Sequence, residues 1–411
     1  MQERFDEVLD RRGTCSLKWD AMGQFFGGIE DALPLWVADM DFATPSPVVE
    51  AMRRRLDHPV FGYAARPRAF FDAVAGWVSR RYGWSVPGEW IVAVPGVVPA
   101  TACAVLAHTE PGDGVLIQPP VYFPFRTTIE TLGRKVVENP LRIRDGRYAM
   151  DYGDLEEKAG SVKLAILCSP HNPVGRVWTK DELRGFGRLL MRRGALVLSD
   201  EIHADIVFPP NRFVSYGTLG RDFADRALVC HAPSKTFNMA GIKTATTIIP
   251  SRKLRARYQE MLMALGLHGT SSFGIPALMA AYGECEEWLE DLLVYLRGNY
   301  EFLGSWLSAN EPRIRLHPME GTYLAWLDCA GLGLSDACLK RFLLDEAKLA
   351  LDEGPLFGTG GEGFVRINLA CPRVILEHAL DRLGRALEAG RSRGTGEGAG
   401  GSSGIRESDT R

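Results

Sequence analysis

The stretch Ala232-Pro233-Ser234-Lys235-Thr236-Phe237-Asn238-Met239-Ala240-Gly241 decides how the rest of the chain is read. An apolar run at 227–230 leads into it, and a β-branched run at 244–249 leaves it. Strand-like sequence on both sides predicts that Lys235 rides on a loop projected from a sheet. A primary amine there suits covalent capture of an aldehyde. Ser234 offers a hydroxyl to an anion, and Gly241 permits a tight turn. A lone lysine in a polar loop is ordinarily a solvated charge. The pattern on either side gives this one its chemical meaning.

Working outward, strands are predicted at 115–117, 135–137, 164–168, 196–199 and 228–230. Helical patterns lie between several of them, as at 180–193. Such alternation implies right-handed crossovers and a mostly parallel central sheet covered on both faces. Ligands bind such sheets beyond the carboxyl ends of the strands. The unusual polar residues sit just there: Tyr122, Asn172, Asp200, His203 and Lys235. Further upstream, a short strand at 90–94 runs into Pro95-Gly96-Val97-Val98-Pro99, with Pro99 expected at the first helical position. The N–H groups of Gly96, Val97 and Val98 would then face an anion at the positive end of a helix.

The flanks complete the organisation. Residues 1–45 read as an N-terminal arm, in which Asp39 and Asp41 are taken for turn or cap residues rather than substrate-facing carboxylates. Residues 46–285 form the large domain and open with helices at 48–56 and 68–82. A helical stretch at 275–307, broken near Gly283, leads to a smaller α/β domain at 286–389 that packs with the arm. From 390 to 411, Gly, Ser, Arg and Glu dominate without periodicity, which predicts a disordered tail.

Composition narrows the function classes. At 411 residues the chain exceeds what one core usually organises. A formal net charge of −3 gives no basic footprint for nucleic acid. No apolar run is long enough for a membrane span, and the charged N-terminus lacks the apolar core of a signal peptide. The 8 cysteines are scattered with no CxxC pair. A cytoplasmic protein without a metal site is expected.

A lysine loop, a phosphate seat, an aromatic ring, an amide, a carboxylate and a distant arginine together point to pyridoxal 5′-phosphate. Asp200 can keep the pyridinium nitrogen protonated, which makes the ring an electron sink. Tyr122 can stack on the ring, and Asn172 can donate to its phenolic oxygen.

These segments resemble the fold-type I pyridoxal-phosphate enzymes of the class I/II aminotransferase superfamily, over nearly all of residues 1–390. Within it, Asp200-Glu201-Ile202-His203-Ala204-Asp205 and Trp36-Val37-Ala38-Asp39-Met40-Asp41-Phe42 are similar to the bacterial carbon–sulfur β-lyases of the MalY/PatB type. The resemblance implies a catalytic set of Lys235, Asp200 and Tyr122. Lys235 would hold the cofactor and move the α-proton, and Arg366 would clamp the substrate carboxylate. Cofactor contacts are implied for Gly96, Val97, Val98, Tyr122, Asn172, Asp200, His203, Ser234, Lys235 and Lys243. Tyr63 is implied to reach the phosphate of the neighbouring subunit in a homodimer. Two positions depart from the aminotransferase pattern: Lys243 stands where arginine is common, and Ala232 where serine is. The expected reaction is α,β-elimination from an S-substituted L-cysteine to a thiol, pyruvate and ammonia. Transamination, decarboxylation and a regulatory use of the same fold are the alternatives.

Overall fold

The apolar runs become a seven-stranded sheet in the computed structural model, which describes residues 3–396. In chain order its strands are β1 (Ile91–Val94), β2 (Gly114–Ile117), β3 (Lys135–Glu138), β4 (Val162–Cys168), β5 (Leu196–Asp200), β6 (Ala227–His231) and β7 (Ala245–Ile248). Their spatial order is β1-β7-β6-β5-β4-β2-β3. Only β7 runs antiparallel to its neighbours, β1 and β6, so the other six strands point the same way. β4, β5 and β6 are buried almost throughout, which is why they read as unbroken apolar runs instead of alternating ones.

Local signals set the helix ends. Thr179 and Glu182 form a reciprocal capping box that starts the helix Lys180–Arg192. Gly194, with φ of 77°, then takes the left-handed turn that lets the chain enter β5. The helix after β1 runs Val97–His108 with Gly96 as its cap, so Pro99 lies inside the first turn and not at its first position. The missing N–H costs nothing there, because the first four N–H groups have no partner within the helix. The long helical stretch divides into Gly274–Glu284 and Glu286–Asn310. Its break falls at Cys285, ahead of two glutamates that suit a helix start, and Gly283 stays helical.

The second, smaller sheet is antiparallel: β8 (Arg315–Leu316), β9 (Leu324–Asp328), β10 (Asp352–Glu353) and β11 (Phe364–Asn368), in the order β8-β9-β11-β10. The arm joins the C-terminal part through a short parallel pairing of Leu33 with Leu349 and Pro34 with Ala350. The last helix, Arg373–Gly396, continues past the point where the tail was expected to begin; residues 397–411 lie outside the described residues.

Asp39 and Asp41 are neither caps nor substrate carboxylates. Arg11 forms ion pairs with both, and the fully buried Lys18 reaches Asp41 at 2.6 Å. The arm supplies two cations that a local reading of 33–42 cannot see. Removing one partner of such a buried pair leaves an uncompensated charge, which is strongly destabilising. Among the described residues no helix is long and apolar enough to cross a membrane.

Candidate active site

Because β1, β2, β4, β5 and β6 share one direction, the residues that follow them emerge along one rim. Gly96, Tyr122, Asn172, Asp200, His203 and Lys235 all line a single cavity there, of about 690 Å³. Val97, Val98, Ser234 and Lys243 line it too, and β11 contributes Arg366 from the smaller sheet. Tyr63 does not. Its side chain is fully exposed and borders a separate depression with Arg54 and Arg55.

Lys235 sits in the short helix Pro233–Thr236, which opens on proline directly after β6. Its Nζ donates to the carbonyl of Ala38 at 2.6 Å, and Tyr323 donates to the same oxygen at 2.8 Å. Burial lowers the affinity of this amine for its proton to about 8, although Asp39 and Asp200 pull the other way. The loop is held from both sides. Thr236 Oγ1 donates to Asp205 Oδ2 at 2.7 Å, while Trp77 Nε1 and Tyr82 OH donate to Asp205 Oδ1 at 3.1 and 2.6 Å. Asn238 uses its side-chain amide to bind Met40 and Phe42 of the arm.

Asp200 is buried, and Oδ1 accepts from the Ile202 N–H at 3.1 Å. Burial raises its carboxyl to about 6, while that N–H and Lys235 act to lower it. An anion persists there at neutral pH. His203 is held neutral by burial, and its Nδ1 has no partner among the described residues. The neighbouring Glu201 faces away from the cavity, accepting from Ser199 Oγ and Tyr216 N at 2.9 and 2.8 Å. Its Oε2 lies 3.2 Å from His231 Nε2. Burial drives both groups to their neutral forms, so this is a contact between an acid and an imidazole and not an ion pair.

Arg366 is 3% exposed and well tethered. It donates to Asn172 Oδ1 at 2.9 Å and to the Trp36 carbonyl at 2.7 Å, and it is ion-paired with Asp352. Its Nε is buried and has no partner among the described residues. The N-terminus of Val97–His108, whose first N–H groups have no partner within the helix, opens on the same cavity as Ser234 and Lys243. Lys243 occupies the left-handed region with φ of 57°, a conformation that costs a non-glycine residue roughly 1 kcal/mol.

Sequence reasoning missed Tyr323, Asp352 and the Ala38 carbonyl. Asp352 stands in an ordinary Leu-Asp-Glu-Gly sequence, and its meaning appears only when β10 pairs with β11 and brings it against Arg366. The arm residues Leu17, Phe25 and Phe26 also line the cavity.

The sheet order, the single antiparallel strand and the ligand rim place the protein in an α/β class, transferase fold type I, with a large mixed sheet and a smaller domain. Comparison with known proteins gives the particular family. The family model for aminotransferase class I and II matches residues 30–383. Cystathionine beta-lyase PatB of Bacillus subtilis (strain 168) is 44% identical, the match covering 93% of this chain and 99% of that one. Protein MalY of Escherichia coli (strain K12) is 35% identical, with 94% and 99% covered. The crystal structure of cystalysin from Treponema denticola, which contains a pyridoxal 5′-phosphate cofactor, superposes with a TM-score of 0.91 at 36% identity, covering 94% and 98%. The chain belongs to the fold-type I pyridoxal-phosphate aminotransferase superfamily, in its MalY/PatB-like cystathionine β-lyase branch.

Proposed function

We propose that the protein is a pyridoxal-phosphate-dependent carbon–sulfur β-lyase, converting an S-substituted L-cysteine and water to a thiol, pyruvate and ammonia. The observation that carries the reading is the Lys235 amine, buried, with its proton affinity lowered to about 8, in one cavity with Asp200 and Arg366. The names of the relatives and the cofactor in the Treponema structure support it.

The residues fit that cofactor. Lys235 would hold its aldehyde carbon. Asp200 would face the ring nitrogen, the Tyr122 ring would form one wall, and Asn172 and His203 would flank the ring oxygen. The N–H groups of Gly96, Val97 and Val98, together with Ser234 and Lys243, would take the phosphate. The unpartnered His203 Nδ1 and the helix end turned into the cavity are the kind of open polar positions such a group fills. When bound, pyridoxal phosphate supplies an acceptor for the electron pair left at the α-carbon.

The work of the protein follows from its own groups. Arg366, fixed by Asn172, Asp352 and the Trp36 carbonyl, orients the substrate carboxylate. Lys235 Nζ, whose proton affinity burial lowers to about 8, takes the α-proton in its neutral form. Asp200 is an anion at neutral pH because the Ile202 N–H and the charge of Lys235 oppose the effect of burial, which brings its carboxyl to about 6. A second copy of the chain, presenting Tyr63 to the phosphate of its neighbour, is part of the proposal. The exposed apolar side chains of Leu56, Val60 and Phe61 beside Tyr63 support such an interface.

The test is product stoichiometry. Purified holoprotein given S-methyl-L-cysteine should release pyruvate and methanethiol in equal amounts over many turnovers. Stoichiometric pyridoxamine phosphate without thiol would establish transamination instead.

A further inference from the structure

The outer half of the cavity has a different chemical character from the inner half. Arg366 holds the Trp36 carbonyl at 2.7 Å, so Trp36 lies next to the point where a substrate carboxylate is gripped. From Trp36 an aromatic cluster continues through Phe25 and Phe26, with ring centroids 4.9 and 5.3 Å from the indole. Leu17, Phe123 and Leu356 complete the wall. The indole N–H is already donated to the Lys18 carbonyl at 3.2 Å, which leaves the ring itself to face a ligand. Leu17 precedes Lys18, whose buried ion pair with Asp41 fixes this part of the arm. Phe25 is 55% exposed and Leu17 52%, apolar surface that gains by being covered.

The charges lining the cavity are committed elsewhere. Asp200, Lys235 and Lys243 lie on the cofactor side, and Arg366 and Asp352 pair with each other. Among the described residues lining the cavity only Lys340 and Glu353 remain, and they form an ion pair between themselves. A zwitterionic substituent on sulfur would therefore lose water against aromatic rings without gaining a free counter-charge.

We infer that this subsite selects an uncharged apolar sulfur substituent, alkyl, benzyl or aryl, over the zwitterionic homocysteinyl group of cystathionine. The inference names the substrate class of the lyase proposed above and rests on that reading. Phe25 and Trp36 are the specificity-determining residues.

The test uses holoprotein rapidly mixed with S-benzyl-L-cysteine, S-methyl-L-cysteine or L-cystathionine. Dissociation constants are read from the change in its visible absorbance, and pyruvate is assayed separately. S-benzyl-L-cysteine should bind at least about tenfold more tightly than L-cystathionine. Phe25→Asp should weaken S-benzyl-L-cysteine at least about fivefold more than S-methyl-L-cysteine. Equal or tighter binding of cystathionine would overturn the inference, as would a tenfold loss of cystathionine affinity in Lys340→Ala, which would reveal a seat for the zwitterion. Absence of pyruvate from all three substrates would defeat the lyase reading, while the binding ratio still decides the character of the subsite.

Discussion

Thr236 Oγ1 donates a 2.7 Å hydrogen bond to Asp205 Oδ2, so the residue beside Lys235 hangs from a buried carboxylate. Trp77 and Tyr82 donate to the same group from the helix Arg68–Tyr82. The lysine loop is thereby anchored to an element that contributes nothing to the cavity. Asp205→Ala would strand three buried donors and should cost about 2–4 kcal/mol of stability, read as a lower urea midpoint at unchanged slope. Thr236→Val, which removes one bond of the three, should cost about 1 kcal/mol. A loss below about 0.5 kcal/mol for Asp205→Ala would deny the anchor its role.

Lys235 makes a kinetic prediction about the protein stripped of cofactor. Only a neutral amine attacks an aldehyde, and burial brings this one to about 8 from the ordinary 10.5. The initial rate of yellow absorbance on adding pyridoxal phosphate should climb with pH, reach half its plateau near pH 8, and level off above it. A rate still rising tenfold per pH unit beyond about 9 would mean that the amine is not desolvated.

Glu201 sets a slope of stability against pH. Its carboxyl is raised by burial from 4.5 to about 8. Between those values the unfolded chain has released a proton that the folded protein retains. Stability therefore falls as pH rises through that window. Glu201→Gln removes the contribution, so the melting temperature of the variant should improve relative to the parent from about pH 5 to 8. A constant difference across that range would place an ionised Glu201 in the fold.

Arg366→Lys tests the guanidinium as a fork. A lysine cannot bind Asn172, the Trp36 carbonyl, Asp352 and a carboxylate together. KM for any cysteine conjugate should rise by about 10- to 100-fold, equivalent to roughly 1.4–2.7 kcal/mol of binding. An unchanged KM would move carboxylate recognition to another residue.

Much of this was legible before the structure, because the signals are local. The apolar runs ending in Asp200 and before Lys235 are buried on both faces, so they show plainly as strands, and a common strand direction brings the polar residues behind them together. The helix Arg68–Tyr82 has the bounds its periodicity predicts. What escaped depends on contacts between distant segments. Asp41 resembled a turn residue until Lys18 and Arg11 folded against it. Asp352 acquires its partner only across a strand pairing, and the Ala38 carbonyl meets Lys235 from 197 positions away. Backbone acceptors leave no trace in residue type, so the Ala38 contact could not be read from composition or spacing.

The central claim is that one amine, Lys235, holds the cofactor. Borohydride reduction of the yellow holoprotein followed by peptide mapping tests it most directly. A single pyridoxyl adduct is expected on the peptide bearing Lys235, and none in Lys235→Ala. An adduct on any other lysine, or undiminished yellow absorbance in the variant, would contradict it.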